Sequence, residues 1–537
     1  MEKICAVSGE KFEITDGDQE FYRKIEAPLP TLCPAERERR RWAWRGKDFF
    51  MRACDKCERT TMSWFSPDIE GLKAYCNDCF ESEEFDAMEY GRDFDFDRPF
   101  FEQFFEMARE VPRHISNSVL NTNSEYIICA HRNKNCYFTD EMDGSWDCYY
   151  GYNIQYCKNM VECIFVRDSE IGYDLRKAEK CYSVFCSQNV FHCNDSAFLM
   201  NCKGCRKCLF CANLRNKEYC IFNKSVGKEE FEKAWAEIFT GRREDLEGAR
   251  ERFDEFMKDQ VYPSGVLINV EESSGDYLSN CKNVKDCYWV DNCKDCRYCT
   301  DIHHSKDCYD TNIYEGELMY ECLHAGPKAY NQQFSQLPWF STDIYYCIEL
   351  RSCRNLFGCA GLKHKQFCIL NKQYSEEEYF ALKERIVEHM RGTGEYGEFF
   401  PVEYSPHPYN FTMAQRFYPL EKAEVLKKGW KWMDEKEVVS GEKGGLAEEV
   451  DEEIFVCPES GKKFKYLDAE VKFYKKYGLP LPVLAPAVRI DKLWEKMGPR
   501  KLFDRKCSKC GEVVQTTFAE DFDRKVYCQE CYLGEVW

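Results

Sequence analysis

Eight cysteines arranged as two quartets, Cys54-x2-Cys57 with Cys76-x2-Cys79 and Cys507-x2-Cys510 with Cys528-x2-Cys531, constrain this chain more than any other feature. Four thiolates in two close pairs on a short connecting segment are the donor set of a closed tetrahedral Zn²⁺ site. Two structural zinc ions are therefore expected, one towards each end of the sequence. A shell of four thiolates leaves no position for water, which argues against a catalytic metal. Thr60 to Phe65 and Leu72 to Tyr75 read as a hairpin around Ser66-Pro67-Asp68, and Val513 to Phe518 with Arg524 to Tyr527 as its counterpart.

The two ends are copies of one another. Cys5-Ala-Val-Ser8, Phe21-Tyr-Arg-Lys and Pro28-Leu-Pro30 return as Cys457-Pro-Glu-Ser460, Phe473-Tyr-Lys-Lys and Pro480-Leu-Pro482, each series followed by its quartet. A second pair of knuckles has decayed to Cys5-x2-Ser8 and Cys33-x2-Glu36, and in the end copy to Cys457-x2-Ser460 and Ala485-x2-Val488. Cys5, Cys33 and Glu36 are at most a weak metal site, because two thiolates do not close a zinc shell.

The middle is duplicated too, Cys205 to Lys224 matching Cys353 to Lys372 at an offset of 148. Cys136, Cys157, Cys181 and Cys202 are spaced by 21, 24 and 21 residues, and Cys299, Cys322, Cys347 and Cys368 by 23, 25 and 21. These intervals read as a rung length, with about five rungs per copy. Short phrases such as Asn135-Cys-Tyr and Asp286-Cys-Tyr alternate with turn formers and carry no 3.6-residue period. The fold class expected is mainly β with helical connectors: two zinc-ribbon modules flanking two tandem cysteine-rich single-stranded β-solenoids, their small thiols stacked inward.

The segments are a zinc-ribbon module at 1–85, a connector with a helix at 86–118, the first solenoid at 119–224, a helical brace at 225–263 and the second solenoid at 264–372. A helix and mixed segment at 373–433, an acidic, glycine-containing linker at 434–453 and the second module at 454–537 complete the chain. Ser375 followed by Glu378 predicts a capping box. Thirty-five cysteines in 537 residues, an odd number in a long chain that opens without an apolar leader, favour reduced thiols and a cytoplasmic location. No stretch is apolar enough to span a bilayer.

Leu32-Cys-Pro-Ala-Glu-Arg-Glu-Arg-Arg-Arg-Trp-Ala-Trp-Arg45, Tyr90-Gly-Arg-Asp-Phe-Asp-Phe-Asp-Arg-Pro-Phe-Phe-Glu-Gln-Phe104, the Asn-Cys-Tyr phrases and Glu395-Tyr-Gly-Glu-Phe-Phe-Pro401 together resemble the cysteine-rich zinc-ribbon proteins of small-genome candidate-phylum bacteria. The resemblance covers nearly the whole chain and implies architecture without an activity. Those proteins usually carry Cys where Glu36 stands here.

Both end modules contain a basic stretch. Pro34 suits the first turn of a helix that places Arg37, Arg41 and Arg45 on one face. Arginine beside aromatic rings can hold phosphate and stack on bases. Arg37, Arg40, Arg41, Arg45 and Lys47, with Arg489, Lys492, Arg500 and Lys501, are thus the candidate nucleic-acid residues, although a net charge of −19 restricts any such contact to local patches. The competing reading is a solvated helix face paired with the protein's own acids.

The run Cys202-x2-Cys205-x2-Cys208-x2-Cys211 invites an iron–sulfur reading, but Leu356 replaces Cys208 in the second copy, as a packed interior tolerates and a cluster does not. Gly392-x-Gly394-x-x-Gly397 follows a helix and reads as its terminator, and Asp93-x-Asp95-x-Asp97 lacks the glycine and glutamate of a calcium loop. No nucleophile or histidine spacing points to catalysis and no small-molecule substrate is implied. The function expected is a non-enzymatic zinc-binding scaffold for RNA or DNA. A protein-interaction platform using the solenoid faces and a thiol redox or metal-storage protein are the alternatives.

Overall fold

The computed structural model describes residues 1–124, 126–434 and 454–536. Strand outweighs helix, 37% against 25%. The linker expected at 434–453 lies, apart from Asp434, outside the described residues.

The middle of the chain forms two solenoid-like sheets. In the first, ten strands from Ile127–His131 to Lys224–Ser225 pair in chain order. All are parallel until the last pair turns antiparallel. Ile127 pairs with Thr139, Tyr137 with Tyr149, Trp146 with Lys158 and Glu170 with Tyr182, so each turn advances twelve residues. The 21- to 25-residue cysteine interval is therefore not the rung. It spans about two turns, because cysteine occupies only some of the inward positions.

A finer period organises each turn. From Cys129 to Phe222 every third residue has positive φ, and up to Asn213 the residue after each of these points inward. Non-glycine residues in the left-handed region cost ~1–2 kcal/mol each, least for Asn and Asp. The phrases Asn135-Cys136 and Asp147-Cys148 thus each encode one corner: a side chain that tolerates the left-handed backbone, then a small inward group.

The inward backbone N–H groups explain the cysteines. A residue just before a corner sends its N–H to the next turn, as Trp146 does to the Cys157 carbonyl, and a corner residue sends its own to the previous one, as Asp147 does to Lys134. The inward residue's N–H faces the core, where only a side chain can accept it. Cys157, Cys181 and Cys208 donate to the Oγ of Ser145, Ser169 and Ser196, each twelve residues back and 3.0 Å away. Cys299 and Cys359 donate to the Sγ of Cys287 and Cys347 at 3.3 Å. Each hydroxyl or thiol in turn donates to the carbonyl two residues before it, as Ser169 does to Arg167 and Cys157 to Gln155. Where the N–H is accepted in this way the accepting group is small and both donor and acceptor, which leaves chiefly Ser and Cys, while other inward positions such as Met160, Val166 and Leu175 are apolar. Ser145→Ala should cost about 1–3 kcal/mol by orphaning the Cys157 N–H, whereas Ser145→Cys should cost less than about 1 kcal/mol; equal losses in equilibrium unfolding would contradict the ladder.

The second sheet repeats the plan with two compensating irregularities. Its corners keep the three-residue period from Tyr277 to Asp310. Lys306 then pairs with Glu317, eleven residues on, and Gly316 with Ala329, thirteen on, which restores the phase from Lys328 to Leu370.

Two compact units emerge, and neither follows the chain order. One comprises Met1–Arg59, Ser63–Ile115 and Gly265–Met433, so the first terminal module packs with the second sheet. The other comprises Thr60–Met62, Ser116–Ser264 and Asp434–Trp537, which joins the last module to the first sheet. In the latter, Val161, Tyr173, Phe185 and Leu209 form an outer column buried against the helices Lys228–Ile238 and Arg243–Met257 and against Phe473, Tyr474 and Leu479. The helix Glu376–Thr393 has the Ser375–Glu378 capping box and ends at Gly394, left-handed at φ 77°.

In the first unit His407 is buried, its ring stacked 5.1 Å from Phe65. Burial, then the nearby charges of Arg113, Arg45 and Lys431, push its pKa down to about 3. A histidine depressed in the folded state contributes stability above its ordinary pKa of about 6.5. That stability should fall by about 1.4 kcal/mol per pH unit between about pH 6.5 and 3, and His407→Gln should flatten the slope. Identical pH profiles of the denaturation midpoint for the two proteins would refute this.

Candidate metal centres

Each quartet is assembled from a turn and the start of a short helix. In the first, the Cys54 N–H donates to the Arg59 carbonyl, and the helix Asn77–Glu81 begins directly after Cys76. In the second, the antiparallel pair Phe503–Lys506 and Val513–Thr516 brackets the turn carrying Cys507 and Cys510, and the helix Gln529–Val536 follows Cys528. The hairpins expected from sequence differ in partner. Ala74–Tyr75 pairs parallel with Arg113–His114, and Lys525–Tyr527 parallel with Val261–Pro263, so each later strand is tied to the body of its unit. A local reading of 60–75 or 513–527 contains no trace of those distant partners.

Within each quartet the four sulfurs lie within 4.8 Å of one another. Cys57 Sγ is 3.7 Å from Cys76 Sγ, and Cys510 Sγ 3.8 Å from Cys528 Sγ. Bonds of about 2.3 Å at tetrahedral angles place sulfurs about 3.8 Å apart, so both donor sets fit a four-coordinate ion. Backbone donors are aimed at the sulfurs. The N–H of Cys76 reaches Cys54 Sγ at 3.2 Å and that of Cys528 reaches Cys507 Sγ at 3.2 Å. Burial opposes the thiolate at both positions, yet these and neighbouring N–H donors outweigh it, bringing Cys54 to about 7 and Cys507 to about 6. In each site one cysteine, Cys57 or Cys510, is exposed. Two metal ions can be held.

The decayed knuckle does not form a third group. Among the described residues no other set of ligand atoms converges in this way. Glu36 pairs with Arg39, and Ser8 Oγ lies 3.8 Å from Cys33 Sγ. In the end copy Cys457 packs in an apolar cluster with Phe464 and Ala485.

Most of the basic candidates face inward. Arg37, Arg41 and Arg45 are at most 2% exposed, Arg489 is 5% and Arg40 is 9%. Arg37 Nε lies 2.9 Å from Asp310, Arg40 contacts Glu321 and Glu398 at 2.6 Å each, and Arg41 Nη1 sits 3.3 Å from Asp310 and 3.4 Å from Glu321. Arg45 donates to His324. Arg489 pairs with Glu162 and with Glu470. These five guanidinium groups are thus turned from solvent and cannot meet a phosphate backbone in this conformation, so the expectation that they line a surface is corrected. Lys47 pairs with Asp48 at 2.8 Å and Lys492 with Glu459 at 3.0 Å, Arg500 is half-buried and Lys501 is exposed.

The arrangement is the same in both units. Arg37 and Arg489 are 452 residues apart, as are Cys5 and Cys457, and their acids Asp310 and Glu162 are 148 apart, the offset of the sheets. Arg37 stacks 5.2 Å from the Tyr298 ring and Arg489 4.4 Å from Tyr150, again 148 apart. The duplicated charge therefore fastens each module to its sheet.

The run Cys202, Cys205, Cys208 and Cys211 is fully buried, each thiol donating to the carbonyl two residues earlier. Sequence reasoning missed the serine and cysteine ladder. Its signal was available: from Cys136 to Cys220 the inward cysteines all share one phase of a three-residue period.

No family model matches the chain, and a search of curated proteins finds no match.

Proposed function

We propose that the protein is a non-enzymatic scaffold, stapled by two structural zinc ions, that offers the outer faces of two β-solenoids with twelve-residue turns to a protein partner. The observation that carries this reading is the fate of the duplicated arginines: the residues best suited to nucleic acid are consumed in holding each unit together. What the first sheet leaves exposed is aromatic and mixed in charge. Trp146, Lys158, Glu170 and Tyr182 are successive register partners on one column, with Trp146 53% and Tyr182 48% exposed, and Tyr156 of the same sheet is exposed as well. Exposed Trp and Tyr on a rigid face are the side chains that dominate protein interfaces. Zinc is the ion that favours closed tetrahedral thiolate shells, and the resemblance to cysteine-rich zinc-ribbon proteins belongs to the same reading.

Affinity capture from a source lysate tests it. A partner retained after nuclease treatment and lost on Trp146→Ala with Tyr182→Ala is expected. A partner removed by nuclease would favour the second reading, nucleic-acid binding through Lys492, Arg500 and Lys501, for which the exposed Lys501 ammonium 5.4 Å from the Phe503 ring is the supporting contact. Salt-dependent filter binding abolished by Lys501→Glu would establish that alternative.

A further inference from the structure

The two units are an internal control on one another. Where both keep a group, the fold accounts for it; where one is polar and its counterpart apolar, the fold does not. Applying the offsets of 452 and 148, Arg41 corresponds to Leu493, Arg45 to Met497, Asn312 to Ile164, Gln332 to Val184 and Gln333 to Phe185. Five buried positions that the last module and first sheet fill with apolar side chains are thus polar or charged in the first unit. Burying polar groups is unfavourable unless each finds a partner, and apolar replacements are commonly neutral or stabilising.

Two of these five, Arg41 and Asn312, carry a buried donor without an acceptor. Arg41 Nε donates to Asn312 Oδ1 at 2.7 Å, which leaves Nη2 of the same guanidinium and Nδ2 of the same amide, two buried donors on directly bonded side chains, with no acceptor. Both residues are 0% exposed. Arg40 Nε, on the same helix, and the Tyr320 hydroxyl, on the strand that carries Glu321, are also buried without a hydrogen-bond partner. Native interiors leave few such atoms, and two orphaned donors on one hydrogen-bonded pair of side chains mark a missing acceptor there. A guanidinium donor favours a charged acceptor over a neutral one.

We propose that the first unit holds a small monovalent anion, of halide or compact oxyanion size, between the helix Pro34–Trp42 and the second sheet, bound by Arg41 Nη2 and Asn312 Nδ2. The ion completes the hydrogen bonding of a charged core that the other unit does without, and it would make the stability of this unit alone depend on anion supply.

Chloride and bromide are the probes, applied to the zinc-loaded full-length protein at constant ionic strength with gluconate as the replacement. The melting temperature should rise by at least ~5 °C on saturation with chloride, and crystals grown in bromide should show an anomalous peak within hydrogen-bond distance of both donors. Asn312→Asp, which places a carboxylate oxygen where the amide donor stood, should fold without halide and lose both the shift and the peak. Asn312→Ile, copying Ile164, should also lose the peak. An ordered water without anomalous signal at this position, or a chloride shift that persists in Asn312→Asp, would overturn the proposal.

Discussion

Removing metal should unfold both terminal modules and expose eight thiols together: Cys54, Cys57, Cys76, Cys79, Cys507, Cys510, Cys528 and Cys531. The segments that carry the quartets have little local structure of their own. Their strands are two to four residues long, and structural zinc supplies about 10–16 kcal/mol of apparent binding free energy per site. Cys57 and Cys510 are exposed and give a chelator its point of entry. Native mass spectrometry should weigh two ions per chain; after chelation, alkylation should label these eight cysteines well before those of the sheets. The sheet thiols resist because burial pushes them up, Cys157 to about 12 and Cys181 to about 11, so that almost none is thiolate at neutral pH. A metal-free protein with unchanged amide protection in both modules would contradict this.

Arg489→Met should be the most damaging single substitution outside the metal centres. It leaves the carboxylates of Glu162 and Glu470, both buried, facing one another without their shared cation, a loss of about 3–5 kcal/mol. Burial already holds Glu470 above the ordinary carboxylate range even with Arg489 beside it. Arg37→Met should cost less, because Asp310 keeps Arg41. Adding Glu162→Gln to Arg489→Met should recover part of the loss. Hydrogen exchange resolved by unit is the readout, and equal effects of the two arginine substitutions would be incompatible with the ion-pair geometry. One corollary concerns binding assays: exchanging these arginines for glutamate would disrupt the units themselves, so lost affinity in such variants carries no information about a surface.

Much of the architecture can be read in the residues. The quartets, both duplications, the helix started by Pro34 and the capping box at Ser375 are local patterns whose physical cause lies within a few positions of the chain. The rung length failed for a specific reason. Cysteine shares the inward positions with Ser145, Met160, Val166 and Leu175, so the distance between similar cysteines counts two turns; the finer repeat becomes visible only when Asn or Asp before Cys is recognised as a left-handed corner. The arginines failed for another. Arg37 and Arg41 look like a free helical face because Asp310 and Glu321 lie some 270 residues away. The pairing of each module with the sheet of the opposite half is likewise a long-range fact that composition and spacing do not contain.

That crossed pairing sets an order on synthesis. Cys79 leaves the ribosome 186 residues before Gly265, and the sheet that receives its module is finished only at Gln373. At ~5–20 residues per second the newborn module waits for roughly 15–60 s with Phe21, Tyr22 and its arginine helix uncovered. During that interval the metal quartet is its own means of staying folded. The final module meets the opposite circumstance, since its docking surface has been complete for more than two hundred residues of elongation, and it can seat as soon as its own residues have emerged. Early metal capture and transient shielding by a chaperone are therefore demands that fall on the first module and not on the last.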